Sequence, residues 1–170
     1  MIEQVERLKK SAGVYLILME LPRDGFLRVG KLGSTTFPKG FYAYIGSALG
    51  KTSTSLGWRL NRYLNINTRR RRWHIDYILG EEGQAEIRAI FFAETGERKE
   101  CTLSKTIASK EWAEVPLKGL GSSDCAEGCP AHFYKCNINR FADLKTSIRR
   151  AFEENTLIPK ELDVPLNREE

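Results

Sequence analysis

The segment GFYAYIGSALGKTSTSLGWRLNRY, residues 40–63, constrains the fold more than any other part of the chain. Phe41 to Ile45 reads as a strand: Tyr42, Tyr44 and Gly46 fall on one face, and Phe41, Ala43 and Ile45 on the other. Gly46 then breaks the strand into a corner, and an amphipathic helix follows. Leu56, Leu60, Tyr63 and Leu64 stand at i, i+4, i+7 and i+8, the stripe of a helix that faces a core. Arg59 and Tyr63, four apart, are neighbours on one helix face. A strand phenol beside a guanidinium on the next helix can hold a phosphate.

The rest of the chain supplies elements around this unit. Residues 13–19, GVYLILM, are apolar on both faces and read as a central strand covered on both sides. Arg23-Asp24-Gly25 is a turn signal, and residues 33–40, GSTTFPKG, are turn chemistry, so 27–32 and 41–46 are expected to pair as a hairpin. Residues 73–79, WHIDYIL, alternate as a strand would and fit a helix equally well. Residues 85–93, AEIRAIFFA, read as a strand; 97–109 read as a helix with Leu103 and Ile107 on its buried side and Glu100 on the same stripe. Phe141, Leu144, Ile148 and Phe152 mark a further helix beginning near residue 139, and residues 1–10 read as a short helix or a loose arm. Residues 159–170, PKELDVPLNREE, carry two prolines and six charges and read as a frayed tail. With no internal repeat and no linker, the expected organisation is a single domain over 1–156 and a flexible C-terminal tail over 157–170.

Charge narrows the partners. Lys+Arg 27 against Asp+Glu 22 gives +5, which suits a polyanion without demanding one. The run Arg69, Arg70, Arg71 and Arg72, flanked by Arg62 and Trp73, offers phosphate contacts and a stacking ring to nucleic acid; its plainer reading is a solvated turn. No stretch approaches the roughly 18 apolar residues of a membrane span, and no leader is evident, so a cytoplasmic protein without a membrane partner is expected. In that compartment cysteines are thiols or metal ligands rather than disulfides. Cys125, Cys129, His132 and Cys136 put four soft ligands within twelve residues, a candidate Zn²⁺ set whose alternative is buried thiols packed on a sheet. His74 with Asp76 is a candidate acid–base or ligand pair, or a satisfied structural histidine. Ser122, Ser123 and Asp124, in the loop begun by Gly119, could line a cleft with backbone N–H groups.

Gly13-Val14-Tyr15, Tyr44-Ile45-Gly46 and Arg59, taken in order with YIGSALG, WHIDY and GSSDC, resemble the GIY-YIG nuclease superfamily, and within it an uncharacterised, compact branch. The resemblance spans about residues 11–136. It implies an α/β (α+β) domain with a small, mainly antiparallel sheet, three core strands here extended by the hairpin strand, flanked by helices. It also implies a metal-dependent endonuclease hydrolysing phosphodiester bonds, in DNA repair or processing, with DNA favoured over RNA as substrate and DNA-repair proteins as candidate partners. By the same resemblance Tyr15 and Tyr44 are the motif tyrosines, Arg59 the phosphate-binding arginine, Tyr63 the position four further on, and Glu100 the ligand of one Mg²⁺ or Mn²⁺. Tyr15 and Tyr44 also fit plain core aromatics, and Tyr63 fits the core stripe of its helix. The separation between the two tripeptides is longer than is usual for the superfamily, which makes a catalytically silent nucleic-acid-binding module the alternative.

Overall fold

The computed structural model describes residues 2–65, 73–79, 85–162 and 164. The Arg69–Arg72 run lies outside these residues. In chain order the elements are α1 (Ile2–Arg7), β1 (Gly13–Leu21), β2 (Gly25–Arg28), β3 (Ser34–Phe37), β4 (Gly40–Ala48), α2 (Leu56–Leu64) and α3 (Asp76–Leu79). There follow β5 (Glu86–Glu94), α4 (Glu100–Ala108), β6 (Ala113–Glu114), β7 (Phe133–Cys136), α5 (Phe141–Glu154) and β8 (Lys160–Leu162).

Six strands form one sheet in the order β6-β7-β4-β1-β5-β8, with every neighbouring pair antiparallel. The period-two alternation of β1 divides the interior into two cores. Tyr15, Ile17, Met19 and Leu21 point to the side of α1, α2 and α3, where Val5, Leu8, Leu56, Leu60 and Ile78 pack. Val14, Leu16 and Leu18 point to the other side, against Leu103 and Ile107 of α4 and Leu144, Ile148 and Phe152 of α5. The helical stripes read from the sequence are thus the faces that cover the sheet. Among the described residues no helix is long and apolar enough to cross a membrane.

The pairing departs from expectation in two places, and a segment open to two readings takes one of them. β2 pairs with β3 as a separate hairpin, Gly25 opposite Phe37 and Arg28 opposite Ser34, while β4 pairs with β1 and β7. The reason lies in the hydrophobic surface: β4 is apolar on both faces and belongs in the centre, whereas β2 and β3 have a single buried face to offer. Residues 73–79 resolve into one turn of helix, α3. Residues 160–162, read as tail, pair with Ile90–Phe92 because Leu162 is buried and Glu161 meets Lys145 and Arg149.

Gly46 does not end its strand, which runs on to Ala48; its role is spatial. It faces Tyr15 across the β1–β4 ladder, and a Cβ built there would lie 2.4 Å from the Tyr15 hydroxyl. The Tyr15 ring therefore lies flat over a strand position that only glycine leaves open. Gly46→Ala should lower stability by about 1–3 kcal/mol, the usual cost of forcing a methyl into a packed core. Urea unfolding with an unchanged m-value measures it, and a neutral substitution would mean that Tyr15 has room to move.

Candidate functional site

On the α2 side of the sheet β1 contributes Tyr15, β4 contributes Tyr44 and α2 contributes Tyr63. The Tyr15 and Tyr63 hydroxyls share a 2.7 Å hydrogen bond, and the Tyr44 ring lies 6.4 Å from Tyr15 and 6.1 Å from Tyr63, centroid to centroid. All three phenols are buried, and burial raises each above its ordinary value; the Arg59 guanidinium pulls in the opposite direction on each. Arg59 sits one helical turn before Tyr63 on α2, its guanidinium 4.6 Å from the centre of the Trp73 ring. Its Nε is buried and has no hydrogen-bond partner.

A cleft of about 470 Å³ opens over this group, lined by Tyr15, Tyr44, Arg59 and Glu100. The last arrives from a different direction, at the first position of α4, just after β5. His74, Ser123 and Asp124 line the same cleft. Arg98, which the sequence did not single out, lines it as a second guanidinium, two residues before Glu100. Its only signal in the sequence is that proximity.

The sulfur chemistry is arranged differently from its spacing in the chain. Cys101, Cys125, Cys129 and His132 converge, one ligand atom from each lying within 4.8 Å of the others, a Cys3His cluster that could hold a metal. Cys101 Sγ is 3.4 Å from Cys125 Sγ and 3.7 Å from His132 Nε2. Cys136, expected as a ligand, is not one: four residues of extended chain carry it roughly 13 Å past His132. There it faces the α4–α5 core, where burial pushes its thiol up to about 12. Cys101 takes its place from α4, 24 residues before Cys125 and so invisible to a search for local spacing.

The sequence pattern of the family described as "Domain of unknown function DUF123" matches residues 14–156. The chain belongs to the DUF123 family. Neither the curated proteins nor the solved structures contain a match to it. The matched span runs from β1 to the end of α5 and includes the tyrosines, Arg59, Glu100 and the Cys3His cluster.

Within this DUF123 domain several expected contacts are committed elsewhere. Arg62 and Asp76 form a buried two-pronged ion pair at 2.5 and 2.7 Å, and the backbone N–H of Trp73 donates to Asp76 as well. Asp76 therefore does not reach the cleft, and Arg62 is not free for a phosphate. Trp73 is half-buried under the guanidiniums of Arg59 and Arg62, the latter 3.9 Å from its centre, so its ring is already stacked. Ser122 is buried and donates its hydroxyl to the Cys129 carbonyl. Several of the loop N–H groups are engaged within the protein: Gly119 on the Pro130 carbonyl, Ser122 on the Gly119 carbonyl, and Gly121 on Nδ1 of His74 at 3.3 Å. Gly121 adopts φ +76°, and a Cβ there would lie 2.9 Å from the Tyr44 ring, so backbone conformation and space both call for glycine.

Burial holds His74 below the ordinary imidazole value, against the opposing pull of the Asp124 carboxylate. With Nδ1 accepting from Gly121, the neutral ring carries its proton on Nε2. A lowered folded value means that the unfolded chain protonates first as pH falls. The stability held above about pH 6.5 is then lost on acidification through the folded value. His74→Gln should flatten that part of the stability–pH curve relative to wild type, as read from urea midpoints between about pH 5 and 8; parallel curves would show that His74 stays solvated. For the ion pair, Arg62→Met should cost about 3–5 kcal/mol by stranding Asp76, and adding Asp76→Leu should recover much of the loss. A single-variant loss below about 1 kcal/mol would mean that water already screens the pair.

Proposed function

We propose that this DUF123 domain is a metal-dependent endonuclease of GIY-YIG type, hydrolysing phosphodiester bonds in nucleic acid during DNA repair or processing, with DNA the favoured substrate. One observation carries the reading: Tyr15, Tyr44, Arg59 and Glu100, from four separate elements, line one cleft. These are the side-chain types that the hydrolysis needs, and the resemblance assigns the same four positions.

In this reading a phosphate oxygen sits against the Arg59 guanidinium, whose contact strengthens as charge builds on phosphorus. Arg98 adds a second cation at the cleft, and the Nε2–H of His74 a neutral donor. Water attacks phosphorus, giving up its proton to a base as the new P–O bond forms, and the ester P–O bond opposite breaks, its alkoxide taking up a proton. Tyr15 or Tyr44 is the base. The Tyr15 hydroxyl is engaged with Tyr63, which orients it. Burial opposes a phenolate and Arg59 favours it, so the base needs the further positive charge that a cation held by Glu100 would bring. A bound Mg²⁺ or Mn²⁺ supplies Lewis acidity to the leaving oxygen.

The same burial supports a second reading. With both cleft phenols raised, the two guanidiniums still make an anion site but neither phenol is poised as a base, as in a nucleic-acid-binding module without cleavage. Labelled single-stranded, duplex and branched DNA, and RNA, incubated with Mg²⁺ or Mn²⁺, separate the two. Cutting should require the metal and fall by roughly 10²–10³-fold in each of Tyr44→Phe, Arg59→Ala and Glu100→Ala, by analogy with the loss of one oxyanion donor. Binding that weakens with salt and survives Glu100→Ala, without cutting, would establish the binding module instead.

A further inference from the structure

We propose that Cys101, Cys125, Cys129 and His132 bind one Zn²⁺ in a closed tetrahedral site that ties the first turn of α4 to the loop leading into β7. The distances support an ion at the centre. With Zn–S near 2.3 Å and Zn–N near 2.05 Å, a tetrahedron has S···S edges of about 3.8 Å and S···N edges of about 3.6 Å. The Cys101–Cys125 separation is 3.4 Å, the Cys101–His132 separation is 3.7 Å, and every ligand atom lies within 4.8 Å of the rest. A disulfide would bring two sulfurs to about 2.05 Å, and all four cysteines are free. Cys101, Cys129 and His132 are buried, so the site has a dry interior. Three thiolates and an imidazole are the soft donor set that selects zinc over the oxygen-seeking cation assigned to Glu100. Four protein ligands leave no open position, which makes the site structural rather than catalytic.

Binding takes three thiols to thiolates and releases three protons, with His132 binding as neutral imidazole. What the ion organises follows from the neighbours of its ligands. Cys101 is preceded by Glu100, Cys125 is preceded by Asp124, and His132 itself lines the cleft. The loop between them is otherwise closed by a few hydrogen bonds, such as Gly119 N–H to Pro130 and His132 N–H to Leu120. Zinc therefore fixes two carboxylates of the cleft relative to Tyr15 and Tyr44. The site stands whether or not the cleft cuts a phosphodiester.

The test reads metal and stability, not cleavage. The full chain, purified under reducing conditions without chelator, should carry about one zinc per chain by plasma mass spectrometry. Cys136→Ala should retain it and Cys101→Ser should lose most of it. Because Cys101→Ser could fail to fold, wild-type protein stripped of metal is also titrated with Co²⁺. Intense ligand-field bands and thiolate-to-cobalt charge transfer, both abolished by added Zn²⁺, are expected of a tetrahedral thiolate-rich site, and the melting temperature should rise on reloading. A zinc-free wild type with only weak, octahedral cobalt spectra would overturn the proposal. So would zinc that follows Cys136 instead of Cys101, or a Cys101–Cys125 disulfide in the chain as purified under reducing conditions.

Discussion

Strand β1 is buried from Val14 to Met19 without interruption, and the rest of the fold depends on that. A strand with no solvent face must be covered on both sides, so its alternating side chains define two cores. One core receives α4 and α5, whose apolar stripes close it with aliphatic and aromatic side chains, joined by Cys136 and by the buried Ser104–Tyr134 hydroxyl pair. The other receives α2, and there the same alternation places Tyr15 where a purely structural strand would carry another aliphatic. A phenol in that position needs a partner and a space. Tyr63 is the partner and the missing side chain of Gly46 is the space. The packing of the sheet and the geometry of the cleft are thus decided by the same few residues.

This explains which features could be read from the sequence. The two-sided burial of β1, the strand over 85–93 and the stripes of α2, α4 and α5 follow from periodicity, since each is the imprint of burial on side-chain identity. Tyr15, Tyr44, Arg59 and Glu100 were brought together by motif, and their elements converge on one cleft. What escaped depends on contacts between segments far apart in the chain. Strand pairing went astray because GSTTFPKG is good turn chemistry wherever its flanking strands finally pair. Arg62 read as a surface base because nothing local announces that Asp76 will turn toward it. Cys136 looked like a ligand because it is near in sequence, and Cys101 did not because it is far. In a strand, four residues are enough to carry a side chain out of a metal site.

Opposing effects set the electrostatics of the cleft. Burial drives Tyr15, Tyr44 and Tyr63 towards the protonated phenol, and Arg59 counteracts it without reversing the balance on Tyr15 or Tyr44. A cluster of neutral phenols around a guanidinium is a good resting place for an anion, because it offers donors and a positive charge together. It is a poor base until more positive charge arrives. In the proposed reading the half-buried Glu100 would hold that charge, and the carboxylate on α4 and the phenols on the sheet would then have to be placed relative to one another with care.

That placement is the weakest point of the architecture considered as a packing problem. Glu100 opens α4, which belongs to the opposite layer from α2 and the tyrosines, and Asp124 lies on a loop held by a few hydrogen bonds. Hydrophobic packing fixes the body of α4 through Leu103 and Ile107, one turn or more away, but leaves its first turn to other forces. The residue immediately after Glu100 is Cys101, whose sulfur faces the side chains of Cys125 and His132. A cross-link at that sulfur would constrain the helix start and the loop together, where burial of apolar surface cannot. Local rigidity at a polar cleft is a familiar demand on any site that must hold charged groups within a fraction of an ångström. In this chain the side chains able to meet that demand stand next to the carboxylates that need it.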